Sequence, residues 1–211
     1  MSRAFFITLE GIEGAGKSTV GRWVREWLAK RGIPARLTRE PGGTPLAENV
    51  RHIVLSHGQE PLSTAAETLL MFAARSIHVE NLIRPALAGG ESVVCDRFTD
   101  ATRAYQGHGR GVDLALIETL ANAVHGDLQP HCTLLLDLPV SVGLERARAR
   151  SGVASDRFEA EAAAFFEKVR AGYLQIARRE PTRVRVIDAS SPLVEVERQV
   201  GAALETLVAG A

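Results

Sequence analysis

The chain has 211 residues and balances 25 Lys plus Arg against 25 Asp plus Glu. A formal charge of zero removes the electrostatic reason to expect nucleic acid or a membrane surface as a bulk partner, so any basic residue that matters acts locally. The length suits a single α/β domain, expected over 1–211, and the few apolar-leaning residues before Glu10 are too short for a signal peptide or a membrane span.

Five short apolar runs, at 4–9, 35–38, 92–95, 133–138 and 184–187, alternate with helical patterns. Leu134-Leu135-Leu136 does not alternate polar with apolar, which predicts strands covered on both faces, as in a parallel sheet between helix layers. Cys95 and Cys132 lie in or beside these runs and read as reduced core thiols of a cytoplasmic protein.

The first run leads into Gly11-Ile12-Glu13-Gly14-Ala15-Gly16-Lys17-Ser18, which fits G-x-x-x-x-G-K-[ST] between a strand and a helix. Its three glycines allow the backbone to fold around a phosphate chain, with loop N–H groups and the helix N-terminus aimed at the anion. Lys17 then reaches the β- and γ-phosphates, and Ser18 offers a hydroxyl to Mg²⁺. The helix that follows carries Val20, Trp23, Val24, Trp27 and Leu28 on one stripe.

After the second strand, the turn-rich Thr38-Arg39-Glu40-Pro41-Gly42-Gly43 places a charged pair at a strand's C-terminal end. Ligands bind at such ends in open α/β sheets, and a solvated pair is the alternative. The next helix is expected to turn Leu46, Val50, Ile53 and Val54 inward, with Arg51 beside them. A long helix over about 64–88, ended or kinked near Pro85, carries Arg75 in its apolar middle, where ion pair and ligand contact are both open. Met71 and Phe72 share its face.

The third strand ends in Cys95-Asp96-Arg97-Phe98. Beyond it, 99–111 packs Thr102, Tyr105, Gln106 and several arginines into one polar stretch. A helix around 112–124 precedes the fourth strand. Arg146, Arg148 and Arg150 then stand on one helix before the Gly/Ser/Ala break at 151–155. That combination suits a mobile lid over phosphates at about 146–158, although helix energetics alone do not require an anion there.

A P-loop establishes nucleoside triphosphate binding, and the arginines at strand ends point to phosphoryl transfer to an acceptor with a phosphate and a planar ring. The P-loop, the 38–44 segment, Asp96-Arg97-Phe98, Ala104-Tyr105-Gln106-Gly107 and the arginines before Asp156-Arg157 resemble, in order and spacing, those of bacterial thymidylate kinases. The resemblance implies a three-layer P-loop kinase fold with a five-stranded parallel sheet, transfer of the ATP γ-phosphate to dTMP with Mg²⁺, and a homodimer. Gly11, Ile12, Glu13, Gly14, Ala15, Gly16, Lys17, Ser18, Thr19 and Arg146 would then serve ATP, with Ser18 on the metal and Lys17, Glu13, Arg97 and Arg150 catalytic.

On the acceptor side the resemblance implies Arg39, Arg51 and Arg97 at the phosphate, with Glu40 and Asp96 in the same dTMP site and Glu13 near the sugar. Arg75 would meet the thymine carbonyl, helped by Thr102 and Gln106, while Tyr105 crowds the sugar's 2′ position. Ala15 stands where one subgroup carries an arginine, so the sequence is similar to the type that supplies this charge from the lid. Family members place a phenylalanine at position 71; here it is Met71, and Phe72 is expected to stack on the base instead. Phe98 replaces a tyrosine or histidine. A kinase for another nucleoside monophosphate or a deoxynucleoside is the nearest alternative. A P-loop switch protein is the second, without an N-K-x-D guanine-reading motif to support it.

Overall fold

The computed structural model describes residues 4–55, 60–151 and 159–210. Strands β1 (Phe6–Glu10), β2 (Ala35–Arg39), β3 (Ser92–Asp96), β4 (Cys132–Asp137) and β5 (Val184–Asp188) form one sheet in the order β2-β3-β1-β4-β5. All four neighbouring pairs are parallel. Each of the five apolar runs read from the sequence becomes a strand, with ends moved by one or two residues. β1 is buried along its whole length, which is why its sequence shows no polar alternation.

The helices are α1 (Lys17–Ala29), α2 (Pro45–Leu55), α3 (Thr64–His78), α4 (Arg84–Ala88), α5 (Thr99–Thr102), α6 (Leu114–Val124), α7 (Val140–Ser151), α8 (Glu159–Arg179) and α9 (Leu193–Ala209). Side chains of β1 point alternately to the two faces. Ile7 and Leu9 pack with Val20, Val24 and Leu28 of α1, whereas Phe6 joins Val79, Ile83 and Phe98 in a separate cluster. A Cβ at Gly21 would come within 3.0 Å of the Leu9 side chain, so this glycine sets how closely α1 approaches the sheet. The helix expected over 64–88 runs as α3 and α4 joined by a π-helical turn, Val79–Ile83, in which the Arg84 N–H reaches back five residues to the Val79 carbonyl. Pro85 immediately follows, and a residue without an N–H cannot continue the α-helical ladder.

One local detail was not anticipated and one expectation differs from the structure. The polar stretch after β3 folds as α5 followed by a second π-helical segment, Arg103–Gly109. The apolar stripe of α2 does not turn inward as a set: Leu46 and Ile53 are exposed, and Ala47 is the residue of this helix that is fully buried. Periodicity reports an apolar face but not what covers it. No helix among the described residues is long and apolar enough to cross a membrane.

Candidate active site

β1 enters the P-loop through Gly11, whose φ of 134° is open to glycine alone, and where a Cβ would stand 2.5 Å from the Leu136 carbonyl oxygen. Gly14 lies so close to the Gly143 backbone of α7 that neither has room for a side chain. Gly143, which the sequence reading passed over, therefore seats α7 against the loop. Gly16, at φ 88°, caps α1 without a side-chain hydrogen bond, which leaves the first-turn N–H groups and the positive end of the helix dipole open. Lys17 curls back and donates to the carbonyls of Gly11 and Ile12, both at 3.0 Å. Burial, with Arg97 nearby, lowers its pKa to about 8.

At the end of β3 the backbone makes a turn that a side chain rarely adopts, with Arg97 at φ 71°. Several hydrogen bonds hold it: Arg97 N–H to the Leu9 carbonyl at 2.9 Å, the Cys95 thiol to the Arg97 carbonyl at 3.0 Å, and Phe98 N–H to Glu10 Oε1 at 2.7 Å. The turn aims Arg97 Nη2 at Glu13 Oε1 (2.9 Å) and at the Tyr105 hydroxyl (2.9 Å), and that hydroxyl donates to Glu13 Oε2 at 2.7 Å. Burial opposes the Arg97 charge, but Tyr105, Tyr173, Glu13 and Glu10 outweigh it and hold the guanidinium pKa well above its usual value. Glu10 is buried and also accepts from the Tyr173 hydroxyl at 2.7 Å. Burial, then the Asp100 charge, raises its pKa to about 8.

Beside this triangle opens a cavity of about 280 Å³, with Glu67, Met71, Arg75, Thr102, Gln106 and Phe98 in its wall. Arg75 is 3% exposed. Its Nε donates to Glu40 Oε2 at 2.7 Å, and its Nη2 to the Phe98 carbonyl and Thr102 Oγ1, both at 3.0 Å. Nη1 is buried and has no partner among the described residues. A buried donor left bare costs about 1–3 kcal/mol, which a ligand acceptor would recover. Gln106 gives its amide N–H to Glu67 Oε1 at 2.8 Å, and Arg110 pairs with Glu67 Oε2 at 3.2 Å.

The expectation for Phe72 is corrected here. Phe72 is buried with Ile117 and Ala121 in a small core cluster, and it is Met71 that lines the cavity. Glu67, Met71 and Arg75 follow one another at i, i+4 and i+8, so they share one helix face, whereas Phe72 is turned about 100° from Met71. That same spacing could have revealed Glu67, which the sequence reading missed.

A neighbouring hollow joins the P-loop to the acceptor side and brings Lys17, Ser18, Arg39, Arg51, Asp96 and Arg97 together. Asp96 Oδ1 is the other buried side-chain atom without a partner among the described residues. An orphaned carboxylate oxygen lining the same hollow as a P-loop hydroxyl is the donor set a hard divalent cation takes. Arg51 donates to the Pro41 carbonyl at 2.8 Å. Arg39 is turned away into a two-point contact with Glu48, at 2.9 and 3.0 Å. Arg146 donates to the Ala189 carbonyl beyond β5 at 2.9 Å, and Ile12, Ala15 and Thr19 sit in the P-loop and first turn of α1 as expected. Arg150 falls in the last turn of α7, and its side chain and positions 152–158 of the expected lid lie outside the described residues.

Glu40, His78 and Cys95 bring three ligand-type atoms within 4.8 Å of one another. Each is already engaged: Glu40 by Arg75 and His78, His78 by Thr38, and Cys95 by the Arg97 carbonyl. A buried guanidinium at the same carboxylate further disfavours a cation there.

A phosphate-binding loop at the switch point of a parallel sheet, with a second cation-lined cavity alongside, defines a P-loop kinase. The chain belongs to the thymidylate kinase family, whose sequence profile matches residues 9–200. It is 54% identical over 203 residues to the thymidylate kinase of Pseudomonas fluorescens, with 96% of each chain covered. It is 52% identical over 208 residues to that of Alkalilimnicola ehrlichii, covering 99% of this chain and 95% of the relative. Among solved structures, the thymidylate kinase of Ehrlichia chaffeensis superposes with a TM-score of 0.76 at 34% identity, covering 96% of this chain and 98% of that one.

Proposed function

We propose that the protein transfers the γ-phosphoryl group of ATP to the phosphate of dTMP, giving dTDP and ADP. The observation that carries the choice of acceptor is Arg75 Nη1, a buried donor with no partner among the described residues, in the wall of a cavity beside the P-loop. A donor there suits a carbonyl such as O4 of thymine and repels an amino group at the same place. Gln106, its N–H committed to Glu67, has an oxygen left to accept a ring N–H. Thr102 helps indirectly by orienting Arg75, and Met71 supplies the apolar contact for the ring.

On the donor side, the loop N–H groups and Lys17 grip the triphosphate, and Lys17 exchanges two carbonyl acceptors for phosphate oxygens. Ser18 and Asp96 are the groups that would hold Mg²⁺, which would supply positive charge against the triphosphate and the transferring group. An acceptor phosphate oxygen attacks the γ-phosphorus as the bond to the β-bridging oxygen breaks. Arg51 and Arg97 line the hollow between the two sites and offset the charge of the moving group. Arg39 joins them by leaving Glu48. Arg146, on α7, extends this clamp on the ATP side. Glu13, held by Arg97 and Tyr105, faces the sugar, and the Tyr105 ring closes off its 2′ side.

The molecule pairs as a homodimer through α2, α3 and α6, where Leu46, Leu69 and Leu116 are 58, 55 and 44% exposed. It works in the cytoplasm, whose reducing conditions suit the buried free thiols Cys95 and Cys132.

Phosphorylation rates with dTMP, dUMP, UMP, CMP, AMP and thymidine, each with ATP and Mg²⁺, test the reading. The expected result is a clear preference for dTMP; a preference for any other acceptor contradicts it.

A further inference from the structure

One fully buried side chain stands outside the cavity wall but joins two pieces of it. His78 lies three residues beyond Arg75 on α3, with Nδ1 3.0 Å from Glu40 Oε1 and Nε2 2.7 Å from Thr38 Oγ1. Burial works to raise the Glu40 pKa, but the Arg75 charge and the His78 contact outweigh it and hold it below the ordinary value. An ionised carboxylate only accepts, so Nδ1 donates to Glu40, while Nε2 shares a hydrogen bond with the Thr38 hydroxyl. Both ring nitrogens of the imidazole are thereby partnered. Gly43, at φ 89°, closes directly over this contact: a Cβ there would fall 2.5 Å from His78 Nε2 and 2.6 Å from Thr38 Oγ1. The loop carrying Pro41, which receives Arg51, is thus seated on the same imidazole.

We propose that His78 is a positioning residue for acceptor recognition: it occupies one oxygen of Glu40, confines the Glu40–Arg75 contact to Nε, and so keeps Arg75 Nη1 aimed into the cavity. The inference rests on the reading of Arg75 as the base-contacting group. Without a donor at Oε1, the buried carboxylate would turn to the two-point fork that carboxylates form with guanidinium groups. It would then compete for Nη2 with the Phe98 carbonyl and Thr102 Oγ1, the two contacts that set the plane of the guanidinium. Arg75 would stay paired and buried, yet Nη1 would point elsewhere. This is a loss of aim, separable from a loss of fold.

The test is steady-state kinetics of His78→Leu, His78→Asn, Thr38→Val and Arg75→Met with dTMP and dCMP, alongside thermal melts. His78→Leu fills the space without a donor, whereas Asn places its Nδ2 close to where the histidine Nδ1 stood. For His78→Leu the expected result is a dTMP KM raised about tenfold, a dTMP-over-dCMP preference reduced by a similar factor, and an ATP KM changed less than about twofold. His78→Asn should recover most of that preference. An unchanged preference in His78→Leu, or His78→Asn no better than Leu, overturns the proposal. Should His78→Leu not fold, Thr38→Val decides: it leaves the ring but frees Nε2, and a preference lowered about two- to threefold is expected, with none lost contradicting it. A preference lost in Arg75→Met but kept in His78→Leu defeats the role of His78 alone. A preference kept in both defeats the base-reading itself.

Discussion

Lys17 is buried against the backbone of its own loop. With no triphosphate its ammonium is buried and satisfied by two carbonyls, and burial holds its pKa near 8 against an ordinary 10.5. As pH rises through about 8 the free enzyme loses this charge, so ATP must bind together with a proton. The ATP KM should therefore rise steadily between pH 7.5 and about 9.5; a flat profile over that range would show that Lys17 stays charged. The P-loop glycines, Lys17 and Ser18 were legible in the sequence because their chemistry depends on local spacing. The choice between Met71 and Phe72 was not: it turns on which side of α3 faces the cavity, and that is decided by α6 covering Phe72. His78 left no signal either, since a histidine in an apolar helix looks like core until its partners, Thr38 on β2 and Glu40 just beyond it, are known.

Among the elements, the end of β3 and the start of α5 depend on a carboxyl at the end of β1. Glu10 anchors the Phe98 N–H, and through Tyr173 it ties that turn to α8. Its folded pKa of about 8 lies above the ordinary 4.5. The native state therefore holds a proton that the unfolded chain gives up, and stability from this group is full below pH 4.5 and declines as pH rises toward 8. Glu10→Gln keeps an acceptor for Phe98 and has no charge to bury. Its stability relative to the parent should improve between pH 5 and pH 8, by on the order of 1–3 kcal/mol in urea melts. A difference independent of pH would mean that Glu10 is ionised throughout. Strand order and the π-helical segment at 103–109 were beyond the sequence pattern, because they follow from pairing and from packing of α8 on 103–109, whereas the break near Pro85 was readable. The strands themselves were readable because both faces of the sheet are covered.

At the scale of the whole molecule, α2 is the instructive failure. Its stripe of Leu46, Val50, Ile53 and Val54 was expected to face the core, yet Leu46 is 58% exposed. An apolar face waiting for a second subunit has the same periodicity as one facing the interior. If α2, α3 and α6 form the dimer surface, Leu69→Glu should shift the protein to monomers in sedimentation at micromolar concentration, while a dimer that survives the change places the interface elsewhere.

The most direct test of the central claim, that a single buried arginine reads the acceptor base, is a crystal structure with dTMP bound. Thymine O4 is expected within hydrogen-bond distance of Arg75 Nη1, roughly 2.7–3.2 Å, with Gln106 at the ring edge and Met71 against its face. A thymine ring lodged away from Arg75, with Nη1 still unpartnered, would contradict it.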